Sequence, residues 1–144
     1  MRIYLDNCCF NRPYDVQEQP VVRMEAEAVI CIFEKIASGV LDLAWSYMLE
    51  KENDANLFEE RRVVIAAWRG LAVENVRPNE TVKFRSQHYM ALGLKYKDAT
   101  HLACAVEAGC ACFITTDKGL LRKQAQIPEI QILNPLAFVC DPQG

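Results

Sequence analysis

No apolar run in this 144-residue chain approaches the roughly 20 residues needed to cross a bilayer. The opening Met1-Arg2-Ile3-Tyr4-Leu5-Asp6 reaches charge too early for a secretory signal. The expectation is a soluble cytoplasmic protein with no membrane attachment. An excess of positive charge is also missing: 16 Lys and Arg face 19 Asp and Glu, for a net charge of −3. That argues against coating nucleic acid by bulk basicity, but not against an enzyme that acts on it through a few local cations. Zinc-site spacings are missing too. Cys8-Cys9 and Cys110-Ala111-Cys112 are not C-x-x-C, and no H-x-x-x-H pair completes them. The seven cysteines are odd in number and lack a secretory context, so they read as reduced thiols. Repeats, low-complexity tracts and linkers are absent as well. With 51% apolar and 24% charged residues, the chain has a globular balance, and one domain over residues 1–144 is expected.

What is present is an alternation of strand-like and helix-like segments. Arg2 to Asp6 reads as a strand ending on an acid, and Asn7 to Gln19 as a polar loop broken by Pro13. Pro20 to Ser38 carries Ala26, Val29, Ile30, Phe33, Ile36 and Ala37 at helical spacing, and Gly39 follows its end. Leu41 to Ser46 is a second strand, and Ser46 can cap a short helix bearing Glu50 and Glu52. Leu57 to Leu71 is amphipathic, with Trp68 on its apolar face; Trp45 and Trp68 both read as core or interface. A short strand fits Val73 to Val76, and a helix can start at Asn79 or Thr81 after Pro78. Asp98 to Ala108 is an Ala-rich helix closed by Gly109, Ala111 to Thr115 a strand, Gly119 to Gln124 a helix and Gln131 to Leu133 a last strand. Strands alternating with helices imply a parallel sheet covered on both faces, with its ligand crevice at the carboxyl ends of the strands.

Four acids fall at or near that edge. Asp6 ends the first strand, Asp117 follows the strand ending at Thr115, Asp98 opens a helix, and Glu52 follows the second strand by one short helical segment. Gathered carboxylates repel one another, and a divalent cation relieves the repulsion. An all-oxygen set suits Mg²⁺ or Mn²⁺, the ions of phosphoryl chemistry. Each acid also has a plainer role: Asp98 and Asp117 can serve helix N-termini, and Glu52, like Glu50, can be a solvated helix charge. Asp6, at the end of an apolar strand, is the hardest to explain that way. Asn7 adjoins the first acid and can donate to a phosphate or occupy a turn. Lys97 and Lys118 each neighbour an acid and are the foremost phosphate contacts among the cations. His101 shares a helix face with Asp98, where a structural histidine is the commoner case.

The residues at these points resemble the PIN-domain family, and within it the VapC-type ribonuclease toxins. The resemblance rests on Ile3-Tyr4-Leu5-Asp6, on Ser46 to Glu52, on Lys97-Asp98-Ala99-Thr100-His101-Leu102-Ala103-Cys104-Ala105, and on Phe113-Ile114-Thr115-Thr116-Asp117. It implies a three-layer α/β/α sandwich with a five-stranded parallel sheet, and Mg²⁺- or Mn²⁺-dependent endonucleolytic hydrolysis of RNA to 5′-phosphate and 3′-hydroxyl products. By motif position it implies Asp6, Glu52, Asp98 and Asp117 as metal-binding acids and Thr115 as the hydroxyl that orients the site. It further implies a homodimer and, for a toxin, a small antitoxin partner. Two features depart from the family pattern: Cys8 stands where a serine or threonine is usual, and Asn7 to Asp15 is longer and more polar than the usual turn. Two rivals are a catalytically inactive PIN-like binding module and a phosphoryl-transfer enzyme or receiver on a doubly wound sheet. Against the second, Asp6 is followed by Asn7-Cys8, not by the D-x-D of haloacid-dehalogenase phosphatases.

Overall fold

In the computed structural model, residues 1–141 are described. Short apolar runs become strands because both of their faces are buried: Ile3, Tyr4 and Leu5 of β1 (Arg2–Leu5) and all of β4 (Cys112–Ile114) are inaccessible or nearly so. With β2 (Asp42–Ser46), β3 (Glu74–Val76) and β5 (Gln131–Leu133) they form one five-stranded sheet in the order β3-β2-β1-β4-β5, every pairing parallel. Ile3 is in register with Leu43 on one side and Cys112 on the other. Successive strands run outward from β1 to β3, then cross back to β4 and β5. The direction therefore reverses between β1 and β4, where a doubly wound sheet opens its crevice.

Helices cover both faces, giving the three-layer α/β/α sandwich. The long α2 (Pro20–Ala37) lies against α8 (Pro135–Cys140), and α5 (Glu80–Ala91) lies against α6 (Tyr96–Glu107). The helix α3 (Tyr47–Asp54) starts at Ser46, whose hydroxyl accepts a hydrogen bond from the Leu49 amide at 3.2 Å. Asn79 caps α5 in the same way, through the Val82 amide at 2.9 Å. Gly39 and Gly109 follow α2 and α6 in the left-handed region, at φ 81° and 73°, which a side chain would disfavour. In the chain, α4 (Glu59–Trp68) follows α3, and the short α7 (Lys118–Leu121) follows β4. Among the described residues no helix is long and apolar enough to cross a membrane.

The segment expected as a loop, Asn7 to Gln19, is different. Its first half is α1 (Asn7–Asn11), continued by a 3-10 turn at Arg12–Tyr14. Asp6 starts the helix by accepting the Asn7 amide at 2.8 Å. Phe10 pins it down, fully buried with ring centroids 6.0 Å from Phe33 and 5.6 Å from Trp45. Burying one such ring contributes about 1.5–3 kcal/mol, enough to hold a single helical turn whose composition reads as loop. The two tryptophans behave as expected of core residues: Trp45 is buried on β2, and half-buried Trp68 stacks on Phe33 at 4.4 Å. All seven cysteines are free thiols.

Candidate active site

β1 and β4 deliver Asp6 and Asp117 to the same edge. The Asp6 amide donates to the Ile114 carbonyl at 2.9 Å, so β1 leaves the sheet beside the end of β4. Because α6 leads into the start of β4, its own N-terminus lies at that carboxyl edge and carries Asp98 in its first turn. The helix α3, leaving β2 at Ser46, brings Glu52 there as well.

Thr115 is the hub of the Asp6 side. Its buried hydroxyl donates to Asp6 Oδ2 at 2.8 Å and accepts the Asp117 amide at 3.0 Å, tying the first acid to the backbone of the last. The Cys8 thiol adds a donor to Asp6 Oδ2 at 3.5 Å and lies 3.6 Å from Thr115 Oγ1, so it takes up the position of the missing hydroxyl. Asp6 is only 7% exposed, yet its two oxygens receive the Asn7 amide, the Thr115 hydroxyl and the Cys8 thiol. Asp117 is exposed and caps α7, accepting from the amides of Gly119 and Leu120 at 2.8 and 3.3 Å.

Glu52 is held from behind. His101 Nε2 is hydrogen-bonded to Glu52 Oε1, and the Asn7 amide group donates to Oε2 at 3.4 Å. Burial pushes the Glu52 carboxyl up, but the hydrogen bond and charge of His101, with Lys97 and Asn7, outweigh it, and its pKa lies below the usual value. His101 is itself fully buried and backed by Tyr4, whose hydroxyl lies 2.6 Å from Nδ1 and 2.6 Å from Ser46 Oγ. Glu50 points elsewhere, into an ion pair with Arg69.

Asp98 has none of these supports: among the described residues no donor bonds to its carboxylate. Its pKa is pushed up to about 6 by burial first, then by the charges of Asp6 and Asp117, with a smaller push from Glu52 and a counter-pull from His101. The four acids therefore share one field, although no three His, Cys, Asp or Glu among the described residues converge into a ready-made metal cage. The donor set is carboxylate oxygen, and Asp98 carries the uncompensated charge a hard cation relieves, so these residues fit Mg²⁺ or Mn²⁺ keeping several of its own waters.

Two recesses flank the acids. One of about 440 Å³ contains Asn7, Asn11, Glu52 and Lys97 with Phe58 and Arg61. The other, of about 210 Å³, contains Asp98 and Asp117 with Lys95 and Lys123. Lys118 is exposed on α7 and lines neither.

Two solved structures share this architecture. One is the crystal structure of VapBC2 from Rickettsia felis bound to a DNA fragment from their promoter, with a TM-score of 0.59 at 12% identity over 93% of this chain and 98% of the matching one. The other is the 2.2 Å structure of VapBC-1 from nontypeable Haemophilus influenzae, with a TM-score of 0.56 at 15% identity over 94% and 98%. The chain has a PIN-like fold. No protein-family model matches the sequence, and neither does any curated protein. Within this PIN-like fold the expected residues Asp6, Thr115, Asp117, Asp98, Glu52, Asn7 and Lys97 all lie at one edge of the sheet, and Lys118 lies beside them without entering a recess. Sequence reasoning missed Tyr4, whose only signal was a hydroxyl in an otherwise apolar strand. It also missed Asn11, which fell in the expected loop, Asn56, and Phe58, which fell in the segment Leu57 to Leu71 expected as a helix but precedes α4.

Proposed function

We propose that the chain is a divalent-metal-dependent endoribonuclease that hydrolyses RNA phosphodiester bonds and is held in check by a small antitoxin protein. The observation that carries this reading is the convergence of Asp6, Asp98, Asp117 and Glu52 on one edge, where burial and then the neighbouring charges push the Asp98 pKa up to about 6. A fold that only needed surface acids would not set one half-buried carboxyl among three others with no donor to satisfy it. The solved neighbours, VapBC complexes by name, support the toxin-antitoxin setting.

Asp6, Asp98 and Asp117 would hold the ion, with Glu52 as a direct or water-mediated ligand. The chemistry such an ion supplies when bound is neutralisation of phosphate charge and acidification of water. The protein's part is positioning. Thr115 and Cys8 fix the Asp6 carboxylate, so one first-row acid needs no reorganisation when substrate arrives. His101 holds Glu52 Oε1, which leaves Oε2 and the Asn7 amide facing the larger recess. Water adds to phosphorus, the bond to the 3′ oxygen breaks, and that oxygen leaves as a hydroxyl after taking a proton. Lys97 lies beside the site to contact a flanking phosphate.

The test is cleavage of a labelled single-stranded RNA by purified protein in Mg²⁺, in Mn²⁺ and in EDTA, beside the Asp6→Asn variant. Cleavage is expected in either metal, none in EDTA, and a loss of at least about 100-fold in the variant. Equal cleavage by the parent and the variant would remove the acids from the chemistry.

A further inference from the structure

The recess on the Glu52 side contains a run of side-chain amides, of which the nuclease reading uses only Asn7. Asn7 donates toward Glu52 Oε2, and Asn11 Nδ2 donates to the Asn7 carbonyl at 3.0 Å. Asn56 Nδ2 donates to Asn11 Oδ1 at 3.1 Å, and Asn56 Oδ1 accepts the Phe58 amide at 3.0 Å. The chain of contacts thus runs from the acid edge to Phe58. An asparagine amide has two N–H groups and two lone pairs, so Asn56 retains one of each after these bonds. A donor and an acceptor on one amide are the groups with which a nucleobase edge pairs.

Phe58 completes the arrangement. It is 59% exposed. The Arg61 guanidinium lies 4.4 Å over its centroid, and Arg61 is itself fixed by Asp15 at 3.0 Å and the Tyr14 carbonyl at 2.6 Å. One face of the ring is therefore backed by a cation, while more than half of the residue stays exposed. An ordered aromatic face beside free amide groups is the equipment used to seat unpaired bases.

Resting on the ribonuclease reading, we propose that this recess is a base-recognition subsite, in which one unpaired RNA base next to the cut stacks on Phe58 and is read by the amide of Asn56. The remaining amide groups of Asn56 favour a base, which can pair with them, over an aliphatic side chain, which cannot. Lys97, at the same recess, is placed for the phosphate that joins the seated base to the scissile one.

Two measurements test it, each on the parent and on Phe58→Ala, Phe58→Tyr, Asn56→Ala and the distant control Phe84→Ala, an exposed aromatic on α5. The first is sequencing of cleavage sites in a randomised single-stranded RNA pool, with steady-state kinetics on one cleaved substrate. The parent should show a base bias at a single position beside the cut. Phe58→Ala should raise KM by about fivefold or more while kcat moves less, and Phe58→Tyr should restore it. Asn56→Ala should flatten the bias, and Phe84→Ala should change nothing. The second measurement is quenching of a fluorescent purine analogue in a short RNA, in EDTA, where stacking on Phe58 is seen without cleavage. Cleavage by the parent with bias and KM indifferent to Phe58 and Asn56 would overturn the subsite and leave the nuclease standing. Phe58-dependent quenching with no cleavage in any metal would overturn the nuclease and leave a base-binding recess. If Phe58→Ala spares RNA kinetics and abolishes binding of a co-expressed antitoxin, the recess is a protein-docking surface and the proposal fails.

Discussion

The phenol of Tyr4 lies 2.6 Å from Nδ1 of His101, 97 positions later in the chain, and both residues are fully buried. This contact orders the acid in front of it. The Glu52 carboxylate can only accept, so Nε2 of His101 carries a hydrogen, while Nδ1 is paired with the Tyr4 hydroxyl. Ser46 can then donate to the Tyr4 oxygen while accepting the Leu49 amide. A strand, a helix start and a helix interior thereby converge on one oxygen of Glu52. Tyr4→Phe removes the hydroxyl and leaves a buried ring nitrogen unpaired, so it should cost about 1–3 kcal/mol in a denaturant melt. It should also lower RNA cleavage by releasing Glu52. A variant as stable and as active as the parent would mean that the Tyr4 hydroxyl orders nothing.

Glu50 and Glu52 separate cleanly in space. Glu50 is paired with exposed Arg69, an arrangement typically worth no more than about 1 kcal/mol, whereas Glu52 faces the recess between His101 and Asn7. Glu52→Gln should reduce cleavage by about 100-fold or more, and Glu50→Gln should alter it less than about twofold, with a melting temperature close to that of the parent. Rates measured side by side on one RNA decide it, and the opposite ranking would move the assignment to Glu50.

The sheet and its crevice were legible because apolar runs such as Ile3-Tyr4-Leu5 and Cys112-Phe113-Ile114 can be buried on both faces only in a covered parallel sheet. Asp6, Asp98 and Asp117 were legible for the same reason, since topology alone carries those positions to one edge. Local composition misled at α1, where Asn7, Asn11 and Pro13 look like loop and the deciding force is the burial of Phe10 between Phe33 and Trp45. The α8 helix went unread because only six residues follow Asn134 within it and its support is α2, more than a hundred positions earlier. The backing of Glu52 by His101 and Tyr4 spans 49 and then 97 positions, and no local pattern announces such a contact.

The metal response should depend on pH with a definite sign. Asp98 must be ionised to serve a cation, and its pKa is pushed up to about 6. An ion that binds only the native site raises the melting temperature by mass action. That rise should be full at about pH 7.5, fall through about pH 6 and be small by about pH 5. Melts of the parent with and without Mn²⁺ across this range measure it. A rise that persists undiminished at the acid end would show that Asp98 takes no part in holding the ion.

Asp98 and Asp6 should respond oppositely to loss of charge in metal-free protein. Asp98 takes up its proton at about 6 in the fold against an ordinary 3.8, so between those values the folded state binds more protons than the unfolded state. Stability therefore falls as pH rises through that window, and the penalty is complete above about pH 6. In EDTA at about pH 7.5, Asp98→Asn should melt a few degrees higher than the parent, and near pH 4 the difference should vanish. The first-turn position opposes this, since an acid there gains about 0.3–1 kcal/mol from the helix dipole, but burial and three neighbouring carboxylates act against the charge. Asp6 is the contrary case, because its oxygens receive the Asn7 amide, the Thr115 hydroxyl and the Cys8 thiol. In Asp6→Asn an amide nitrogen must replace one acceptor oxygen: in the place of Oδ1 it faces the Asn7 N–H, and in the place of Oδ2 it keeps Thr115 only if that hydroxyl gives up donating. That variant should lose about 1–3 kcal/mol in EDTA, less whatever repulsion it relieves. Both variants should lose the Mn²⁺-induced rise. If Asp98→Asn is instead destabilised at every pH, the carboxylate has a structural partner in solution and the picture of four acids awaiting a cation is wrong.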